Sequence, residues 1–278
     1  MDRLSRRDFL KLGTAGVALA ATSGAIGAEK QEIRIGIQLY SLRRVLGKDF
    51  RGTLEKVAKL GYQGVEFAGY YGHDRKPKEL RKMLDDLGIV CCGTHTGVNT
   101  LIGDRLKRTV DLHKTLGNPY LMVPGLPGKY RKGREGWLEA AKLFNDISAK
   151  LKPLGMWVGY HNHAHEFHKI GNETPWDIFF SNTVHDVCMQ LDTGNCMAGG
   201  GDPVHYLRKY PGRALTVHAK EFGTPTTVVG EGKVPWKDVI AACRTVGGTR
   251  WLIVEFDRTS LDLFECAKRC IENLKSML

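Results

Sequence analysis

The feature that most constrains this chain is an alternation repeated eight times: a short run rich in β-formers, then a stretch with helical spacing. The strand candidates are "IRIGIQL" (33–39), "GVEF" (64–67), "IVCCGT" (89–94), "YLMV" (120–123), "WVGYH" (157–161), "VCMQL" (187–191), "ALTVH" (214–218) and "WLIVE" (251–255). Their starts lie 25 to 37 residues apart, the length of one βα unit. Between them, "FRGTLEKVAKLG", "PKELRKMLDDLG", "DRLKRTVDLHKTLG" and "GWLEAAKLFNDISAKLKPLG" carry apolar residues at three- and four-residue intervals, and each closes on Gly. Such a segment has one face to bury on a sheet, and a terminal Gly takes the left-handed turn that stops a helix. Eight units over roughly 245 residues predict one α/β domain, a (β/α)8 barrel spanning residues 29–278. An open doubly wound sheet would need a Gly-rich phosphate turn after its first strand, and "GIQLYSLRR" has none.

The N-terminus reads differently. "SRRDFLKLGTAGVALAATSGAIGA" sets Arg6 and Arg7 before a weakly apolar run from Leu10 to Ala21, then small residues up to Ala28. In the form S-R-R-x-F-L-K it resembles a twin-arginine export signal over residues 1–28, which predicts a periplasmic or exported protein. The run is too short and too rich in Gly and Ala for a stable membrane span. Net charge is +11; Arg3, Arg6, Arg7 and Lys11 against Asp2 and Asp8 give +2 of it, leaving +9. Those Lys and Arg residues are scattered in runs no longer than two, as on a solvated basic surface. Seven cysteines with no CxxC pair exclude a zinc ribbon and read as small buried apolar residues.

In barrels of this type the chemistry sits where strand ends meet the following loops. The polar residues that close the strands are Gln38, Glu66, His95, His161 with His163, Asp192, His218 with Lys220, and Glu255. Bringing carboxylates and imidazoles together is costly unless a cation or substrate satisfies them. Asp192, His218 and Glu255 close consecutive apolar strands. An oxygen, nitrogen, oxygen donor set suits Mn²⁺, Zn²⁺, Co²⁺ or Mg²⁺ and lacks the thiolates of a structural zinc site.

The motifs "GIQLYSLR", "LGYQGVEF", "YHNHAHEF", "LDTGN", "DPVHYLRKYPGRALTVHAKEF", "VVGEGKVPW" and "VEFD" together resemble the sugar isomerase/epimerase branch of the xylose isomerase-like barrels. That resemblance implies one divalent ion, Mn²⁺ first, held by Glu, Asp, His and Glu from the last four strands. Asp192, His218 and Glu255 match the second, third and fourth ligands. The first departs from the pattern: "YHNH" puts His161 where the family often has glutamate. Glu166, reaching back from the loop, is then the expected replacement, with His161 the alternative; His163 is assigned to substrate.

The resemblance implies a metal-dependent isomerase or epimerase acting on a keto-sugar through an enediolate, with Glu166 and Glu255 moving the proton. Lys220 would neutralise oxyanion charge, and Glu66, His95, His161 and His163 would bind the sugar. Elimination from a 3-keto-glycoside on the same site is the alternative, and a non-catalytic periplasmic sugar-binding barrel is third. The partner implied is a small carbohydrate, with no nucleic acid and no membrane span after signal cleavage; association into a homo-oligomer is compatible with the fold. A trinuclear nuclease site would need a histidine three positions beyond Asp192, where Asn195 stands, and another beyond His218, where there is none.

Overall fold

Eight parallel strands close on one another in sequence order in the computed structural model, which describes residues 32–278. They are β1 (Arg34–Gln38), β2 (Gly64–Phe67), β3 (Val90–His95), β4 (Tyr120–Val123), β5 (Trp157–His161), β6 (Cys188–Asp192), β7 (Thr216–Ala219) and β8 (Trp251–Val254). β8 returns to pair with β1 from Arg34↔Trp251 to Ile37↔Val254, which closes the barrel. All eight sequence candidates become strands, displaced by no more than two residues at either end. The twin-arginine pattern read over 1–28 lies outside the described residues. No helix among the described residues is long and apolar enough to cross a membrane.

Helices at Phe50–Lys59, Pro77–Asp86, Arg105–Leu116 and Gly133–Leu151 occupy the first four crossovers. Each buries one stripe, as with Leu54 and Val57, or Trp137, Ala141 and Phe144. The four glycines read as stops (Gly61, Gly88, Gly117 and Gly155) all take positive φ, between 67° and 88°. The later crossovers are less regular. A loop of about a dozen residues follows β5, two short helices (Thr193–Ala198 and Pro203–Lys209) follow β6, and a long loop over 220–235 follows β7. In that last loop Glu221 is buried and accepts hydrogen bonds from the backbone N–H groups of Phe222, Gly230 and Val234 and from Trp236 Nε1.

The core has two parts. The large one lies between sheet and helices. A smaller one fills the barrel interior with Cys92, Tyr120, Met122, Cys188, Trp251 and Ile253. Alternation sends these residues inward and, further along β6 and β8, brings Gln190, Asp192 and Glu255 to the same face, while on β3 the extra residue Cys92 interrupts the alternation before His95. The N-terminal half of the barrel is therefore packed solid, and the polar groups collect at the opposite end. All seven cysteines are buried free thiols.

Room for Trp251 is made by glycine. A Cβ on Gly64 would stand 2.9 Å from the Trp251 ring and 2.9 Å from Cys92 Cβ, closer than packed carbons tolerate. Gly64→Ala is expected to lower stability by about 1–3 kcal/mol through overpacking, read as a lower urea midpoint with unchanged m-value.

Candidate active site

Period-two alternation on β5 to β8 turns His161, Asp192, His218 and the residue after β8, Glu255, toward the barrel axis. One donor atom from each of the four lies within 4.8 Å of all the others, and all four residues are buried. The atoms His161 Nδ1, Asp192 Oδ2, His218 Nδ1 and Glu255 Oε2 are each without a hydrogen-bond partner. His218 Nδ1 comes 2.5 Å from Glu255 Oε2, an ion pair while the imidazole is protonated. Buried polar atoms are normally paired; here two carboxylates and two imidazoles crowd together with only the His218–Glu255 pair and Lys220 to offset them, which marks a place suited to a positive charge. Two imidazole nitrogens and two carboxylate oxygens are suitable donors for a divalent cation.

The remaining contacts of these groups fix their orientation. Asp192 caps the following helix, accepting from Asn195 N at 2.7 Å through Oδ1, which leaves Oδ2 for the cluster. Asn162, alternating away from the axis, ties β5 to β6: its Oδ1 accepts from Asp192 N at 2.8 Å and its Nδ2 donates to Asp192 O at 3.1 Å. Lys220 Nζ lies 2.6 Å from Asp257 Oδ2, 3.3 Å from Glu255 Oε1 and 3.8 Å from Asp192 Oδ2.

Charges follow from this packing. Burial pushes Asp192 up to about 7, with Lys220 opposing the shift and Glu255 adding to it. Burial also acts to raise Glu255, but His218 and Lys220 overcome it and hold that carboxylate well below its usual range. His218 is driven down by burial, and Glu66 and Glu255 outweigh that and lift it to about 10. Burial, with the His218 and His95 charges, keeps His161 well below the ordinary imidazole value.

Above the cluster lies a cavity of about 410 Å³, walled by Tyr40, His95, His161, His163, Lys220, Glu255 and Asp257 among others, within the size range of small-molecule sites. His95, His161, His163, Lys220 and Glu255 thus face one cavity. Two expectations are corrected. Glu166 does not join the cluster. Its carboxylate is buried below the loop, accepting from Tyr160 OH at 2.6 Å and His163 N at 2.8 Å, with His165 Nε2 at 2.9 Å. Tyr160 points outward from β5, so the carboxylate it holds lies behind the strand, and His161 takes the fourth position. Glu66 does not wall the cavity either: it is wholly buried on the barrel axis, among Gln38, Gln190 and His218.

Gln190 and Asp257 were missed. Gln190 sits two residues before Asp192, on the same inward face, and a glutamine inside "CMQL" was the available signal. Asp257 follows Glu255 by two, by the same rule.

Residues 54–276 match the family described as xylose isomerase-like TIM barrel. An inosose dehydratase of Clostridium perfringens is 24% identical over 197 residues, 63% of this chain and 65% of that relative, just under two thirds of its length. An inosose dehydratase of Geobacillus kaustophilus is 24% identical over 249 residues, 74% of this chain and 79% of the relative. Among solved structures, a sugar phosphate isomerase/epimerase from Parabacteroides distasonis superposes with a TM-score of 0.76 at 23% identity, covering 91% of this chain and 97% of that one.

Substitution separates the two candidate ligands. His161→Ala is expected to weaken Mn²⁺ or Zn²⁺ binding by more than the roughly 10- to 100-fold that loss of an outer-shell partner costs. Glu166→Gln should leave the affinity within about threefold of the parent's, a small change beside that range. Isothermal titration of both variants checks this.

Proposed function

The chain belongs to the xylose isomerase-like TIM barrel family, and from that premise we propose that it is an enzyme that removes a proton beside the carbonyl of a small keto-sugar or keto-polyol, with a divalent cation held by His161, Asp192, His218 and Glu255. The observation that carries this reading is the set of four buried donor groups within 4.8 Å of one another, two of which, His161 and Glu255, also line the cavity. When bound, the cation would polarise substrate oxygen and stabilise negative charge developing there.

The protein's own groups supply the proton chemistry. Glu255 is held ionised, lines the cavity and is placed to accept the proton. Lys220, its charge strengthened by Asp192, Glu255 and Asp257 against the effect of burial, provides fixed positive potential beside that base. His95 and His163 in the wall present hydrogen-bonding nitrogens to hydroxyl groups.

Within this chemistry, elimination fits the arrangement better than epimerisation. Both carboxylates that wall the cavity, Glu255 and Asp257, leave the end of β8, so basic groups stand on one side of a bound substrate. Glu166, which would have supplied the other side, is turned behind β5. Loss of a leaving group β to the acidified carbon needs one base, whereas inversion needs a proton returned from the opposite face. The dehydratase names of the curated relatives agree with elimination. Isomerisation or epimerisation is the second reading: isomerisation would return the proton from the same base to the neighbouring carbon, and for epimerisation His163, which walls the cavity from the loop after β5, would serve as the opposing acid.

Incubation of candidate keto-sugars and 3-keto-glycosides with the metal-loaded protein in deuterated buffer decides between them by NMR. A released leaving group with an unsaturated product supports elimination. Deuterium in an intact, isomerised sugar supports the second reading, and neither product with any divalent metal would falsify both. Glu255→Gln should lower kcat by about 100-fold or more, the scale of a lost general base.

Cation uptake should also depend on pH in a defined direction. Without a cation, burial raises Asp192 to about 7, and the Glu66 and Glu255 charges outweigh burial to lift His218 to about 10. Protons on these groups compete with the metal, so affinity should rise from pH 6 to pH 8 with net proton release. Calorimetry in two buffers of different ionisation enthalpy measures that release.

A further inference from the structure

We propose that Glu66 is the positioning residue of this site, one buried carboxylate that dictates which nitrogen carries the proton on two imidazoles, His218 and His95. The inference rests on the reading of His218 as a cation ligand, and it concerns a residue that touches neither cation nor cavity.

The argument is one of forced donors. Glu66 has no exposed surface, and an ionised carboxylate only accepts hydrogen bonds. Every polar group on it must therefore present a hydrogen. Gln38 does so with Nε2 at 2.9 Å, and its amide cannot be reversed because its Oε1 already accepts from Tyr40 N at 3.0 Å. Gln190 donates Nε2 to Glu66 Oε1 at 2.9 Å and to Thr216 Oγ1 at 3.0 Å. Its Oε1 is thereby turned to His95 Nε2 at 2.8 Å, and an amide oxygen there requires that Nε2 carry the proton. The Glu66 Oε2 atom, 3.4 Å from the same nitrogen, requires it too.

His218 is bound more directly, with Nε2 2.5 Å from Glu66 Oε2. Nε2 is therefore the nitrogen whose proton Glu66 retains, and Nδ1, which faces Glu255 Oε2 in the cluster, is the nitrogen left to give up its proton and turn a lone pair to a cation. By the same logic His95, in the cavity wall, has Nδ1 as its unprotonated nitrogen, an acceptor for a substrate hydroxyl. The two rings lie nearly parallel, 10° apart with centroids at 5.1 Å.

The fold makes room for this carboxylate. The β2–β3 register shifts between Val65 and Glu66, and Glu66 faces Gly93, where any Cβ would collide with its Oε1. An outer carboxylate on a metal-binding histidine orients the ring and raises its basicity; loss of such a partner costs about 10- to 100-fold in affinity.

The test is ¹⁵N NMR of the parent protein labelled at histidine and loaded with diamagnetic Zn²⁺, beside calorimetric Zn²⁺ titration of the parent and of Glu66→Gln. The expected result is the Nε2–H form for both His95 and His218 in the parent. Glu66→Gln should bind Zn²⁺ about 10- to 100-fold more weakly and give mixed tautomers at His95. An Nδ1–H form at His95 in the parent, or Zn²⁺ affinity unchanged in the variant, overturns the proposal. A parent that binds no divalent cation sinks the cation reading instead, while its His95 spectrum still decides the tautomer claim. That spectrum needs no variant, so a failure of Glu66→Gln to fold leaves the decision intact.

Discussion

Four buried titratable groups crowded within reach of one ion are the constraint on which the rest of this molecule turns. Each unpaired group of this kind costs about 1–3 kcal/mol, and a domain commonly has only about 5–15 kcal/mol of net stability. A barrel that carried such a cluster for no return would forfeit much of its margin. The surroundings limit the damage without removing the cause: Lys220 leans on Asp192 and Glu255, Asn162 fixes the β5–β6 edge, and Glu66 anchors His218. None of them closes the gap between the four donors, as a divalent cation would.

Much of this was legible because barrel geometry converts chain position into spatial position. Once eight strands are recognised, the residue closing each one is directed to a single end of the barrel, and period two names the inward face. Asp192, His218 and Glu255 follow from that rule alone. The rule weakens where the backbone leaves the strand. Glu166 lies in the loop after β5, and its place was decided by Tyr160, an outward-facing hydroxyl able to capture a carboxylate at 2.6 Å. The order of residues does not reveal that competition. Glu66 failed for a different reason. Its inward direction was correctly read, but depth was not: a residue on the axis and a residue in the cavity wall have the same periodicity. The extra residue on β3, Cys92, opposite the Val65–Glu66 step and the absence of a side chain at Gly93 set that depth.

Placing polar groups on the axis has a further consequence for rigidity. Glu66 draws together side chains from β1, β6 and β7, with His95 of β3 close by. β1 and β3 flank β2 in the sheet, whereas β6 and β7 reach Glu66 across the barrel, so the network braces the ring from inside, above the layer of Trp251 and Met122. A ligand set carried on braced strands is held closer to its working geometry than one carried on loops. The groups left on loops or strand extensions, His163 and Asp257, line the cavity instead.

The exchange of a glutamate for His161 is then more than a conservative swap of one donor for another. Relative to the family pattern of three carboxylates and one imidazole, the cluster here has two of each, so its formal charge falls from −3 to −2. A cation held by fewer negative ligands retains more positive charge for substrate oxygen, and two imidazoles move the preference toward imidazole-binding metals and away from Mg²⁺. The same exchange removes the carboxylate that would face Glu255 across a bound sugar. Under the proposed reading, a stronger electrophile and a one-sided base would together favour breaking a bond β to the carbonyl over returning the proton to the opposite face.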